Sequence, residues 1–216
     1  MGHIWANIPP PPFSSAESEE DQHLWKHHAS GVFTVASTWE KLRDRKAINH
    51  LHGLLWYKGH LPRQSFILWL ATQNRLHTLD RLARMGITID KNCKLCNSEE
   101  ETHCHLFFQC IYSKSVLDTV LAQGQLQWPQ MQWSQLLLWA STAFEGNGTA
   151  NNHIAKTILV VTVYYLWIEC NERTFKRVHR SPQVLGNVII QLIRAHLMNT
   201  EIEDLVNDRI RATWNL

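Results

Sequence analysis

Apolar residues fall into helical registers along most of the chain. Between residues 65 and 86, Phe66, Trp69, Leu70, Leu76, Leu79, Leu82 and Ala83 recur at intervals of three and four, the spacing of one helix face. Gln73-Asn74 divides this stretch into two helices. Thr78 stands where it would cap the second and Gly86 where it would end it, with Arg81 and Arg84 near the C-terminal end, where positive charge is favoured. Val116, Leu117, Val120 and Leu121 share a face behind an expected cap at Ser113. Residues 154–176 read as one long helix. Ser181, with Pro182 in the first helical position, opens another, along which Val184, Leu185, Val188, Ile189, Leu192, Ile193 and His196 trace an apolar stripe. One segment breaks this period. Gly31-Val32-Phe33-Thr34-Val35 has the β-branched and aromatic content of a short strand, and Ser37-Thr38-Trp39-Glu40 behind it has the spacing of a capping box. The expected fold class is mainly α, with a short β segment near the N-terminus.

Polar interruptions divide the chain further. Residues 1–20 hold Pro9-Pro10-Pro11-Pro12 and then a run of serine and glutamate, too few apolar groups to offset the entropy of ordering, so a disordered tail is expected. Glu145-Gly146-Asn147-Gly148 and Asn151-Asn152 predict a linker over 141–152. A first domain over 21–140 and a helical C-terminal unit over 153–216 follow from that break. No internal repeat is present. The most apolar run, 158–168, is about half of the ~20 residues a membrane span needs, so it reads as a buried helix and no membrane partner is expected. The first twenty residues lack the apolar stretch of a secretory leader, and an intracellular, reducing compartment is the expectation. With 44% hydrophobic residues and ten tryptophans there is material for a core, while a net charge of +2 excludes a polybasic nucleic-acid binder and requires any such affinity to be local.

The chemistry is concentrated in one string. Four of the five cysteines lie within eighteen residues, and Cys93-x2-Cys96-x8-His105-x4-Cys110 has the close pairs that tetrahedral Zn2+ requires. Such pairs suit a zinc knuckle. Protein donors would fill all four positions, leaving none for an activated water, so the site would be structural. A redox role for Cys93-x2-Cys96 would need a βαβ setting and would leave His105 and Cys110 unexplained. The third ligand stays open between His105 and its neighbours His103 and Cys104; His105 is preferred because Leu106-Phe107-Phe108 follows it directly and would pack beneath the ion. Cys170, on an apolar helix, reads as core.

Beyond spacing, Cys93-Lys94-Leu95-Cys96, Glu101-Thr102 and His105-Leu106-Phe107-Phe108-Gln109-Cys110 resemble the zinc-binding region that follows the reverse transcriptase of plant LINE-type, non-LTR retrotransposons. Upstream, Trp25, residues 31–35, Ser37, Trp39, Pro62-Arg63, Phe66, Trp69-Leu70-Ala71, Arg75-Leu76, Thr78 and Arg81-Leu82 are similar to that family's segment. Downstream, residues 165–175 resemble its helix, in which an arginine usually stands where Cys170 does. The resemblance covers roughly 21–180 and implies a small zinc-stapled helical domain whose intact parent handles element RNA and target DNA. The Tyr-x-Asp-Asp polymerase motif is absent, as are recognisable endonuclease and ribonuclease H regions, so the chain is not expected to be an enzyme.

Contact with nucleic acid has to be argued from charge. Residues 58–96 hold Lys58, Arg63, Arg75, Arg81, Arg84, Lys91 and Lys94 against Asp80 and Asp90. Arg75, Arg81, Arg84 and Lys94 are the expected contacts for RNA or DNA, weak and non-specific. Further basic groups are Arg173, Lys176, Arg177 and Arg180, and Lys41, Arg43, Arg45 and Lys46. The competing reading is a structural or protein-interaction module, in which Trp56, Trp69, Trp139 or Trp167 would form an uncovered apolar patch.

Overall fold

The computed structural model describes residues 23–44, 49–145, 149–198 and 206–216. These are helical, without a paired strand among the described residues. The chain divides into two compact units, 1–47 and 48–216.

In the first unit, Trp25 donates its backbone N–H to Gly31 O (2.7 Å), and its ring meets Phe33 edge-on at 5.2 Å. Gly31 sits at φ +69, and a Cβ there would lie 2.9 Å from Leu24. Then comes α1, Val35–Leu42. The strand expected over 31–35 does not form. Thr34 does have extended dihedrals (φ −137, ψ 150), as its β-branch favours, but no neighbouring chain offers a ladder, and its hydroxyl instead accepts the Ser37 N–H at 3.0 Å. The capping box is therefore Thr34 with Ser37, three residues upstream of the expected Ser37 with Glu40. The expected tail, 1–20, lies outside the described residues.

The second unit contains α2 (His52–Leu55), α3 (Pro62–Thr72), α4 (Leu79–Arg84), α5 (His103–Leu106), α6 (Ile111–Gly124), α7 (Trp133–Ala143), α8 (Ala150–Lys176), α9 (Pro182–Met198) and α10 (Asp208–Trp214). Around α8 the others assemble: it packs on α3, α9, α6 and α2, while α6 also packs along α9 and against α10. Ile158, Leu159, Val160 and Val163 on α8 are fully buried, as are Leu68 and Ala71 on α3 and Ile189 and Ile193 on α9. By length and hydropathy α8 would suffice to cross a membrane, but 83% of its apolar window is buried inside the unit, which makes it the core helix. Where α6 and α9 meet, Gly186 allows the close approach; a Cβ there would stand 2.8 Å from Thr119.

Local signals set most helix ends. Pro62 opens α3, and Asn74 leaves it in the left-handed region at φ 51. Thr78 stands at the N-cap of α4, but its side chain does not cap as expected, because its hydroxyl donates to Asp80; Gly86 follows α4 at φ +73, and Ser181 Oγ accepts from Val184 N at 3.3 Å at the start of α9. For α6 the N-cap is Cys110 rather than Ser113, which is buried one turn in and donates to Leu106 O at 2.7 Å. Of the expected linker 141–152, residues 141–143 end α7, 150–152 open α8, and 146–148 lie outside the described residues. The stripe on α9 divides: Leu185, Ile189, Ile193 and His196 are buried, whereas Val184, Val188 and Leu192 face solvent.

Candidate metal centre

The first two cysteines lie in a tight turn held by backbone pairing. Glu101 N donates to Lys91 O (2.7 Å) and Cys93 N to Glu99 O (2.8 Å), two rungs around the isolated bridge Asn92↔Glu100. Asn97, in the left-handed region at φ 57, then returns its N–H to Cys93 O at 2.8 Å. This closure turns the N–H groups of Leu95 and Cys96 toward the Cys93 sulfur. The other two donors come from short helices. Thr102 caps α5 by accepting from His105 N (3.1 Å), and Cys110 N donates to His105 O (2.7 Å) across a turn that puts Phe108 at φ 75. A bulky side chain in that region is strained, and burial of Phe108 against Trp133, at 6.0 Å, holds it there.

The ligand atoms of Cys93, Cys96, His105 and Cys110 all lie within 4.8 Å of one another. Cys93 Sγ is 4.0 Å from Cys110 Sγ, and Cys96 Sγ is 3.3 Å from His105 Nε2. A tetrahedral ion with bonds of about 2.3 Å to sulfur and about 2.0 Å to nitrogen needs edges of about 3.5–3.8 Å, so these two edges lie within a few tenths of an ångström of such an ion and every other edge within about 1 Å. Electrostatics point the same way. The Cys110 thiol is held below its ordinary range, first by the hydrogen donated from Cys93 and then by the Ser113 and Tyr112 N–H groups at the start of α6. Cys93, the donor of that hydrogen and a buried group, is pushed up. A cation replacing the shared hydrogen would stabilise both as thiolates. Behind the imidazole, Glu99 Oε2 lies 3.2 Å from Nδ1, outside good hydrogen-bond alignment but close enough to orient the ring as metal-bound histidines require.

The neighbours of His105 point elsewhere. Cys104 is exposed. His103 is buried, with Nδ1 at 3.4 Å from Thr78 Oγ1, whose own hydrogen goes to Asp80 at 2.5 Å; His103 therefore donates from Nδ1, and Nε2 has no partner among the described residues. Burial brings its pKa down to about 4.

Second-layer contacts fasten the turn to the core, and the sequence offered little sign of them. Glu101, almost fully buried, accepts from Leu79 N (3.1 Å), Lys94 N (3.3 Å) and the Cys170 thiol (3.1 Å). Arg173 on α8 donates to Lys94 O (3.1 Å), Leu95 O (2.9 Å) and Arg180 O (2.8 Å), pairs with fully buried Glu169 at 2.8 Å, and lies over the Tyr112 ring at 4.4 Å. Arg180 completes the group, 2.8 Å from Glu169 and 2.5 Å from Glu172. Burial pushes the Glu169 carboxyl up, but the Arg180 N–H and the two guanidiniums outweigh it and hold it below its usual range. Only the Glu169-x3-Arg173 spacing within an apolar helix hinted at this.

The four expected nucleic-acid contacts are dispersed in their engagements. Arg84 pairs with Asp80 (2.6 Å) and Lys94 with Asp90. Arg81 donates to Asn74 O, and Arg75 lies over the Trp69 ring at 5.8 Å; neither has a carboxylate partner among the described residues. Arg81 and Arg84 do share a wall of one open recess of about 490 Å³, with Asn74, Thr102, His103 and Cys104. The three consecutive glutamates diverge: Glu99 toward His105, Glu100 to Lys91 at 3.4 Å, Glu101 inward.

A family model covers this part of the chain. Residues 33–116 match the family described as zinc-binding in reverse transcriptase. The match takes in α1, the basic stretch around α4 and all four donors, and it supports a zinc-binding, reverse-transcriptase-type domain here; α7 to α10 lie beyond it. No curated protein and no solved structure matches the chain.

Proposed function

We propose that the chain is a non-catalytic nucleic-acid-binding accessory module, derived from the reverse-transcriptase protein of a plant LINE-type retrotransposon and stapled by one structural zinc ion. The observation that carries this reading is the closed donor set: three thiolates and an imidazole, converging inside the segment that matches the zinc-binding family. Such a set suits zinc, and a site with four protein donors serves folding rather than activation of water. What the ion organises is the approach of the basic stretch 75–94 to the core. Arg75 and Arg81, without carboxylate partners among the described residues, are the contacts expected for phosphate, with Arg84 and Lys94 released from their aspartates on binding.

The test is metal analysis combined with RNA and duplex DNA titrations at two salt concentrations, with and without zinc. About one zinc per chain, and affinity near micromolar that falls steeply with salt and weakens in Arg81→Ala/Arg84→Ala, are the expected results. A metal-free protein, or no binding at low salt, would sink the reading.

The second reading, a protein-interaction module, is favoured by the exposed stripe Val184, Val188 and Leu192 on α9 and by Val35, Trp39 and Leu42 on α1. The tryptophans suggested for it are less open. Trp56 is 38% exposed, while Trp69, Trp139 and Trp167 are partly covered by core packing.

A further inference from the structure

The outward side of α3 takes no part in the metal centre and is only partly covered by the fold: Phe66 is exposed, whereas Trp69 and Leu70 are half-buried against the core. Ser65, Leu68 and Ala71 are its buried positions, where it packs on α8. On the opposite side Arg63, Phe66, Leu70 and Gln73, spaced i, i+3, i+7 and i+10, form a stripe about 15 Å long. Its rings and cations are arranged together. Phe66, 49% exposed, lies 5.6 Å from Trp69 with the two planes 33° apart. Arg75 stands 5.8 Å from the Trp69 ring at one end, and Arg63 stands 5.7 Å from Tyr164 at the other. Neither guanidinium has a carboxylate partner among the described residues. The sequence explains why: from residue 45 to residue 79 there is no aspartate or glutamate, while Lys58, Arg63 and Arg75 all fall there.

We propose that this face binds single-stranded nucleic acid, with unpaired bases stacked on Phe66 and Trp69 and phosphates held by Arg63 and Arg75. The proposal rests on the nucleic-acid reading above and names its ligand class and a contact surface apart from the Arg81 and Arg84 recess. An aromatic pair flanked by cations, on a segment that itself carries no carboxylate, complements a strand whose bases are free to stack and whose backbone is anionic. A duplex offers the charge but keeps its bases stacked on one another. The exposed Phe66 ring, with half-buried Trp69 beside it, therefore distinguishes the two by stacking rather than by charge.

The experiment uses the zinc-loaded full chain and fluorescence anisotropy with labelled oligouridylate, oligothymidylate and a duplex of equal length, each at two salt concentrations. Both single strands are expected to bind at least about tenfold tighter than the duplex. Phe66→Ala should weaken single-strand binding about tenfold or more while sparing the duplex, and Phe66→Tyr, which keeps the ring, should restore it. Arg63→Gln/Arg75→Gln should reduce the log–log salt slope on single strands by about 1.4, two phosphates at about 0.7 each. Phe175→Ala, another exposed ring, on α8, should change nothing. Unequal binding of the two single strands would tell RNA from DNA as the source. Single-strand binding that is indifferent to Phe66→Ala but lost in Arg81→Ala/Arg84→Ala, or a duplex bound as tightly as a single strand, overturns this inference and leaves the accessory-module reading intact. Absence of binding to all three probes sinks that reading itself.

Discussion

Cys93 and Cys110 face each other across 4.0 Å, both buried, and each is tied into backbone as well as toward an ion. Removing either sulfur leaves three donors and a cavity where a thiolate stood. Cys93→Ser and Cys110→Ser, and equally His105→Ala, should lower zinc from about one per chain to a small fraction of that, read by metal analysis after purification without chelator. Cys104→Ser and Cys170→Ser should retain full occupancy, since one side chain is exposed and the other is bonded to Glu101. An empty Cys104→Ser protein beside a loaded His105→Ala protein would show the third ligand to be misassigned. The cysteine pairs were legible from their spacing alone. Spacing could not choose among His103, Cys104 and His105, because each step along a helical turn rotates the side chain by about 100°, and the direction of the core decides which one meets the sulfurs.

At the scale of elements the period was legible and the caps only in part: α3, α4, α8 and α9 lie where their apolar spacing places them, and Gly86 and Ser181 stand at the ends expected of them, while the caps expected at Ser37 and Ser113 fall to Thr34 and Cys110. The short strand expected over 31–35 was a misreading, because extended preference at Val32 and Thr34 becomes a strand only beside another strand. Not legible at all was the role of Arg173, whose carbonyl partners on the cysteine turn are 78 and 79 residues away. As one of four cations near the end of α8 it read as a surface charge; in the fold it is the clamp between α8 and the cysteine turn. Arg173→Ala should therefore destabilise the protein by about 3–5 kcal/mol, since it takes one of two guanidinium partners from the buried Glu169 carboxylate and leaves three carbonyls, those of Lys94, Leu95 and Arg180, without their donor. Arg173→Lys should recover little, because one ammonium cannot spread over Glu169, Arg180 O and the turn at once. Lys176→Ala, which breaks an exposed pair with Glu172, should stay within about 0.5 kcal/mol. Urea unfolding of the three variants compares them, and an Arg173→Ala protein as stable as Lys176→Ala would dismiss the clamp.

The whole molecule should respond to acid and to chelation in different places. His153 on α8 and His196 on α9 are both buried, with rings stacked at 5.8 Å, and burial, then the charges of His196 and Lys156, brings His153 down to about 4. Unfolded, it would titrate near 6.5, so the unfolded chain takes up the proton first as pH falls. Stability is full above about pH 6.5, drops by about 2 kcal/mol by pH 5 from this group alone, and stops falling on its account near pH 4. Urea midpoints at pH 7 and pH 5 measure the drop, and His153→Gln should flatten it; an unchanged slope in that variant would show that other groups set the acid response. Chelation acts at the other end of α8. The contacts of α8 with α3 and of α6 with α9 include no donor residue, and Leu68, Ile158, Leu159, Ile189 and Ile193 bury themselves without help from the ion. The turn also supplies Leu95, Leu106 and Phe107 to that core, and Phe107 stacks on Trp133 at 5.1 Å. Metal removal leaves two facing buried thiols and an imidazole without their counter-charge, and a structural zinc contributes on the order of 10 kcal/mol of apparent binding free energy to ordering such a loop. Residues 91–110 should therefore open while the helices around α8 persist. The signs would be nearly unchanged far-UV helicity, altered tryptophan emission through Trp133, new protease cleavage within 91–110 and rapid alkylation of Cys93 and Cys110, all reversed by one equivalent of zinc. Loss of most helicity on chelation would mean that the ion is needed for the whole core, and the picture of a local staple would fail.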